Sequence, residues 1–210
     1  MLLSMLGTPK KDRVTERRQA TRQEILDAAW EVAREHGLSQ ITLRDVAARV
    51  GMQAPSLYSH FSSKNAIYDA MFEQAWTDCY ETMFAIQDRR AKTPRAKLRL
   101  YARTFFRFAV ADLARHQLMN QRTIPGFEPS AAGYAPAVAV IERLRERLRA
   151  IGITRDEDVD LYTALVGGLL DAQFANDPGG NRWARLVDRA VDMFADNVGL
   201  PRDSKNTNQP

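Results

Sequence analysis

The chain has one cysteine, Cys79, in 210 residues. No intrachain disulfide is possible, which suits a reducing cytosol. Cys79 falls inside an apolar helical stretch, which marks a buried structural thiol rather than a redox sensor. Histidine is scarce as well, three in all, and no His/Cys cluster has metal-ligand spacing. Apolar runs of membrane length are missing, and the seven residues before Thr8 are too short for a secretory signal. A soluble, cytoplasmic protein is expected. There is no nucleophile with a paired base and no phosphate-cradling glycine loop, so no catalytic residue, cofactor or metal is expected and an enzyme is disfavoured. Alternation of apolar and polar residues, the mark of strands, does not stand out either. Helix formers dominate, which predicts an all-α fold.

Hydrophobic residues make up 45% of the chain, enough for a real core. The formal net charge is +4, and it is unevenly placed. Residues 1–22 hold Lys10, Lys11, Arg13, Arg17, Arg18 and Arg22 against Asp12 and Glu16. That segment alone accounts for the +4, and the other 188 residues sum to zero. A basic arm suits a phosphate-rich partner.

About nine helices are expected. Residues 1–20 read as a flexible arm. Thr21 with Glu24 reads as a capping box opening a helix that ends at Gly37. Its inner face is Ile25, Ala28, Ala29, Val32 and Ala33. A long helix spans about 64–86 and is apolar over more than one stripe, as expected of a helix covered on several sides. Pro94 suits the first turn of a helix running to about 114. Residues 124–136, IPGFEPSAAGYAP, read as a loop, followed by a helix over about 137–151. Thr154 and Glu157 read as a second capping box for a helix to about 175. The run NDPGG at 176–180 breaks the chain, and Asn181 is expected to start the last helix. The division expected is an arm (1–20), a three-helix head (21–66), a larger helical body (67–200) and a disordered tail (201–210).

The head carries the decisive stretch, TLRDVAARVGMQAPSLYSHFSSK at 42–64. Leu43, Val46, Ala47 and Val50 form one apolar stripe of a two-turn helix. Thr42 suits its N-cap, Asp45 its positive end, and Gly51 a sharp turn. A second short helix then carries Pro55 to Phe61. Two short helices across a glycine turn are the helix-turn-helix that enters a DNA major groove. The elements Thr42-Leu43-Arg44-Asp45-Val46-Ala47, Gly51-Met52, Leu57-Tyr58-Ser59-His60-Phe61 and Ser63-Lys64 resemble the N-terminal signature of the TetR family of bacterial transcription regulators. The resemblance covers residues 21–70; beyond it the body is similar only in helix count and order. Gln53 departs from the pattern, because many members place a serine there, and Gln caps poorly.

The resemblance implies phosphate contacts from Thr42, Tyr58 and Lys64, with Arg44 and His60 as further contacts. Helix starts, phenols and ammonium groups suit such contacts. The base-facing candidates are Gln53, Ala54, Pro55, Ser56 and Ser59. The resemblance also implies an effector pocket in the body. Aromatic residues that could line it are Trp76, Tyr80, Phe84, Tyr101, Phe105, Phe108, Phe127 and Tyr134; plain core is the competing role for each. It further implies a homodimer built on the last two helices. Gly167 and Gly168 sit inside an apolar helix, where close approach of another helix would offset their cost. Leu165, Gly168, Leu169, Val187, Val191 and Phe194 are the expected contacts, with packing inside the chain as the alternative.

Arg95, Arg99, Arg103 and Arg107 repeat every fourth residue and share a helical face. They would meet either acidic groups of the same chain or an anionic partner. The expected function is a homodimeric repressor released from a palindromic DNA operator by a small apolar or aromatic effector. The alternative is a DNA-binding adaptor governed by a protein partner, with no small-molecule effector.

Overall fold

The computed structural model describes residues 13–85 and 91–203. Nine α-helices and no strand occur among the described residues, so the fold is all-α. The chain divides into two units with the boundary between Met71 and Phe72.

The first unit begins with α1 (Arg13–His36). Ile25, Leu26, Ala28, Ala29, Trp30, Val32 and Ala33 form its buried face. The expected start at Thr21 is corrected: residues 13–20 are helical and Thr21 lies mid-helix. This stretch, RVTERRQA, is rich in Arg, Gln, Glu and Ala, which lose little on entering a helix. The remainder of the expected arm, residues 1–12, lies outside the described residues. Gly37 follows with φ +89° and frees the chain for a 3-10 turn at Leu38–Gln40. Then come α2 (Leu43–Arg49) and α3 (Ala54–Leu57), joined at Gly51 with φ +69°. Val46, Ala47, Leu57 and Phe61 close over α1, with Ile67 and Tyr68 from the start of α4 (Lys64–Phe84). The Tyr68 hydroxyl donates to the Leu38 carbonyl at 2.6 Å, and burial pushes its pKa up to about 12.

The second unit begins within α4. The helix expected from Pro94 to about 114 is two helices, α5 (Pro94–Val110) and α6 (Leu113–Asn120). Asp112 starts the second by accepting from the Arg115 amide at 3.0 Å. The loop expected at 124–136 ends early, because α7 (Ala131–Arg149) begins at an N-cap, Ser130, whose hydroxyl accepts from the Gly133 amide at 3.0 Å. Pro136 is therefore inside a helix, in its second turn, where the bond an amide would give to the Ala132 carbonyl is missing. The expected Thr154–Glu157 capping box does not form. Arg155 occupies the N-cap of α8 (Asp156–Asn176) without a side-chain cap, and Glu157 pairs with Arg155 at 3.3 Å instead. The last helix, α9 (Val187–Asn197), starts six residues after Asn181. The intervening turn is held by buried Gln173, whose Oε1 accepts from the Trp183 and Ala184 amides at 2.9 and 3.3 Å.

Three arginines of the α5 stripe, Arg95, Arg99 and Arg103, are spent inside the chain, while Arg107 is exposed. Arg95 is buried and donates to the Pro201 and Leu200 carbonyls at 2.8 and 2.6 Å, the Asp192 carbonyl at 3.2 Å and the Asp196 carboxylate at 2.5 Å. The Leu200 and Pro201 carbonyls lie just past α9, so Arg95 fastens the segment leaving that helix to α5. Arg99 donates to both carboxylate oxygens of Asp192 at 3.0 Å and to Asp203. Arg103 grips Asp188 in a bidentate pair. The expected disordered tail is thus pinned at Pro201 and Asp203; residues 204–210 lie outside the described residues.

Candidate DNA interface and effector cavity

The helix-turn-helix presents its expected face outward. Thr42 is the N-cap of α2: its hydroxyl accepts from the Asp45 amide at 3.1 Å and donates to the Asp45 carboxylate at 2.5 Å. Arg44 is exposed on the same helix. In α3, Gln53 stands at the N-cap and makes no side-chain cap, as its chemistry predicts. Only one α-helical turn forms; past Leu57 the backbone tightens into 3-10 bonds, Ser59 amide to Ser56 carbonyl and His60 amide to Leu57 carbonyl. Leu57 and Phe61 anchor this segment in the core. Gln53, Pro55, Ser56, Tyr58 and Ser59 are exposed, and Ala54 and His60 are half-buried. Tyr58 is 57% exposed, so its ring is no core aromatic. The Ser59 hydroxyl donates to the Ser56 carbonyl at 2.7 Å, which leaves it only acceptor capacity toward a base. Lys64, first residue of α4, holds its Nζ 5.4 Å from the centre of the Tyr68 ring.

Two residues counted only as arm charge position this face. Arg18 donates to the Ser59 carbonyl at 3.1 Å. Arg22 donates to the His60 carbonyl and stacks 4.0 Å over the Phe61 ring. They tie α1 to carbonyls at the end of the recognition segment. The signal was their four-residue spacing, which puts both on one helical face.

The second unit contains a cavity of about 530 Å³. Trp76, Tyr101 and Phe105 line it as expected, with Met83, Val140, Leu144 and Tyr162 among the apolar wall. The Trp76 indole Nε1 is out of solvent and finds no acceptor among the described residues. The other aromatic candidates lie elsewhere. Tyr80 and Phe84 pack edge to face at 4.8 Å, and Phe108 sits under the Arg115 guanidinium at 3.8 Å. Phe127 and Tyr134 line a separate cavity of about 390 Å³, where Tyr134 stacks on Phe72 at 5.9 Å.

The main cavity has a polar end that spacing did not reveal. His116, Asn120, Gln121 and Asp171 line it. His116 Nε2 lies 3.2 Å from Asp171 Oδ1, Asn120 Nδ2 lies 3.3 Å from His116 Nδ1, and Gln121 Nε2 donates to Asp171 Oδ1 at 3.1 Å. The one legible sign was a lone carboxylate, Asp171, in the apolar second half of α8. Cys79 is buried and its thiol is pushed up to about 12 by burial, as suits a structural cysteine.

The expected dimer residues split. Val187, Val191 and Phe194 are buried within the chain, and Phe194 packs 5.5 Å from Tyr162. That corrects their placement at a dimer contact: α9 turns this face to the chain's own core. On α8, Gly168 is exposed and Leu165 and Leu169 are half-buried. With exposed Leu161 and Ala164 they form a stripe at i, i+3, i+4, i+7 and i+8.

The sequence profile of the bacterial regulatory proteins, tetR family, matches residues 25–71, the core of the head. Residues 25–71 are a TetR-family head. The tetracycline repressor protein class D of Escherichia coli is 38% identical over 50 residues, spanning 24% of this chain and 23% of that protein. The chain thus spans about a quarter of that relative's length. Beyond the head the likeness is one of fold. The TetR-family transcriptional regulator PfmR of Thermus thermophilus has a TM-score of 0.58 and 23% identity, covering 85% of this chain and 99% of that one. The transcriptional regulator FadR of Bacillus subtilis, solved with stearoyl-CoA, has a TM-score of 0.61 and 18% identity, covering 82% and 96%. No helix among the described residues is long and apolar enough to cross a membrane.

Proposed function

We propose that this chain is a cytoplasmic, homodimeric repressor that binds a near-palindromic operator and is released from it by a small molecule. The observation that carries the reading is the outward face of the helix-turn-helix: Gln53, Pro55, Ser56 and Tyr58 exposed over a fixed Leu57–Phe61 anchor. Thr42, Tyr58 and Lys64 grip phosphates and fix register. Gln53 and Ser56 read base edges, while Ala54 and Pro55 offer apolar contact to thymine methyls. Arg18 and Arg22 hold the segment in place.

The α8 stripe of Leu161, Ala164, Leu165, Gly168 and Leu169 is the surface that supports a dimer, since an unpartnered apolar stripe of this kind favours a second copy. A twofold would place two recognition segments about 34–36 Å apart, one turn of DNA. The cavity supports effector control, being mostly apolar with convergent polar groups. Stearoyl-CoA in a relative of the same fold is in keeping with a ligand-binding body. The adaptor reading loses its main support, because Arg95, Arg99 and Arg103 are paired with acids of the same chain.

Selection of DNA from a random pool by the purified protein tests the reading. An enriched palindrome with half-sites about one turn apart, lost in Tyr58→Ala and Lys64→Ala, is the expected result. Weak, salt-dependent binding with no enriched site would sink it.

A further inference from the structure

The charge pattern of the main cavity points to a class of ligand. We propose that its effector is a lipophilic amine: a flat, ring-bearing body with a protonated nitrogen at one end. This rests on the reading of the cavity as the effector site.

Trp76, Tyr101 and Phe105 give the wall an aromatic character suited to a planar body. Among the described lining residues there is no lysine or arginine, and Asp171 is the one carboxylate. Its Oδ1 is engaged by His116 Nε2 and Gln121 Nε2, and its Oδ2 takes no part in that network. Asn120 Nδ2 faces His116 Nδ1 at 3.3 Å, so both ring nitrogens of His116 are engaged within the cluster. The carboxylate is thus oriented through Oδ1, and its side chain is 60% exposed at the polar end of the cavity. An ammonium or ring N–H⁺ on the ligand would donate to Oδ2 in a charge-assisted bond. The aromatic wall would add cation–π attraction. An effector bearing a carboxylate or phosphate would meet Asp171 with no cation on the wall to offset the repulsion. A cavity of about 530 Å³ accommodates a three-ring body.

Three probes with one ring system and different charge test this: 9-aminoacridine (cationic at neutral pH), acridine (neutral) and acridine-9-carboxylate (anionic). Affinities are read by fluorescence titration and calorimetry on the full chain. The expected ranking is cation over neutral by about tenfold or more, the worth of one charge-assisted bond, with the anion weakest. Asp171→Asn keeps an Oδ1 acceptor for His116 and Gln121 and removes the charge. It should bring cation and neutral probe to within about threefold, the residue expected once that bond is gone. Equal or tighter binding of the neutral or anionic probe overturns the proposal, as does a cation preference that survives Asp171→Asn. Binding of none of the three also overturns it. Should Asp171→Asn fail to fold, the ranking on the unaltered protein decides alone. Operator selection without effector is a separate measurement, so failure here leaves DNA recognition standing.

Discussion

Single side chains in this protein are set to their tasks by burial. Tyr58 lies between two anchored neighbours, Leu57 and Phe61, yet is 57% exposed. Its ring contributes little to the core, so Tyr58→Phe should leave thermal stability unchanged. Loss of one phosphate hydrogen bond should weaken operator binding by about 1 kcal/mol per half-site. A titration of the variant that matches the unaltered protein would remove Tyr58 from the interface. Cys79 is the opposite case. Burial disfavours its thiolate and pushes the pKa up to about 12, so almost no thiolate exists at pH 8. A disulfide reagent should leave the folded protein unmodified at that pH and label one thiol once the chain is denatured. Rapid labelling of the native protein would show that α4 opens locally.

Local chemistry decides each helix, and where it decides unaided the sequence is legible. Thr42, Gly51 and the Leu43–Val50 stripe all specify the same turn, and α2 forms as read, while the second helix, read over Pro55 to Phe61, is α-helical only at Ala54–Leu57. The capping boxes at Thr21 and Thr154 are indistinguishable in sequence from working ones, yet neither acts. At Thr21 the helix continues upstream and is fastened by Arg18 and Arg22, whose partners lie about 40 residues away. The cavity's polar end was illegible for the same reason, since His116 and Asp171 stand 55 residues apart and meet only through tertiary packing. Gly168 carries a prediction at this scale. A Cβ there would meet nothing within 4 Å in this chain, so Gly168→Ala should stabilise the isolated protomer by about 0.8–1.0 kcal/mol through helix propensity. If the α8 stripe holds a second copy, the same change should weaken the dimer in sedimentation. A dimer left intact would place the interface elsewhere.

The α5–α9 ladder is sensitive to acid. Hydrogen bonds from Arg95 and then Arg202 hold the Asp196 carboxyl below its ordinary 3.8. Those from Thr93 and Arg99, against burial, do the same for Asp203. A depressed folded-state pKa stabilises the native state above the unfolded value and is lost as pH falls through the folded one. Thermal stability should therefore hold down to about pH 4 and decline below it. Asp196→Asn should flatten that decline while lowering stability at neutral pH. A decline unchanged in the variant would mean that other carboxylates govern it.

At the scale of the whole molecule, the proposed switch is a statement about linked equilibria. α4 is one continuous helix carrying Lys64 of the DNA-facing unit and Trp76 and Met83 of the cavity wall. An effector can shift operator affinity only by binding one conformer better than the other. Linkage then requires reciprocity: whatever factor the effector takes from operator affinity, saturating operator must take from effector affinity. With 9-aminoacridine as the probe, the factor should fall in the range of about 5–150, the usual size of such couplings. Two titrations measure it, operator binding with and without saturating acridine, and acridine binding with and without saturating operator. Equal factors above one establish that cavity and helix-turn-helix share a two-state equilibrium. A factor of one in both directions would make the cavity a binding site with no command over DNA. In that case the released-repressor reading fails, even with operator recognition intact.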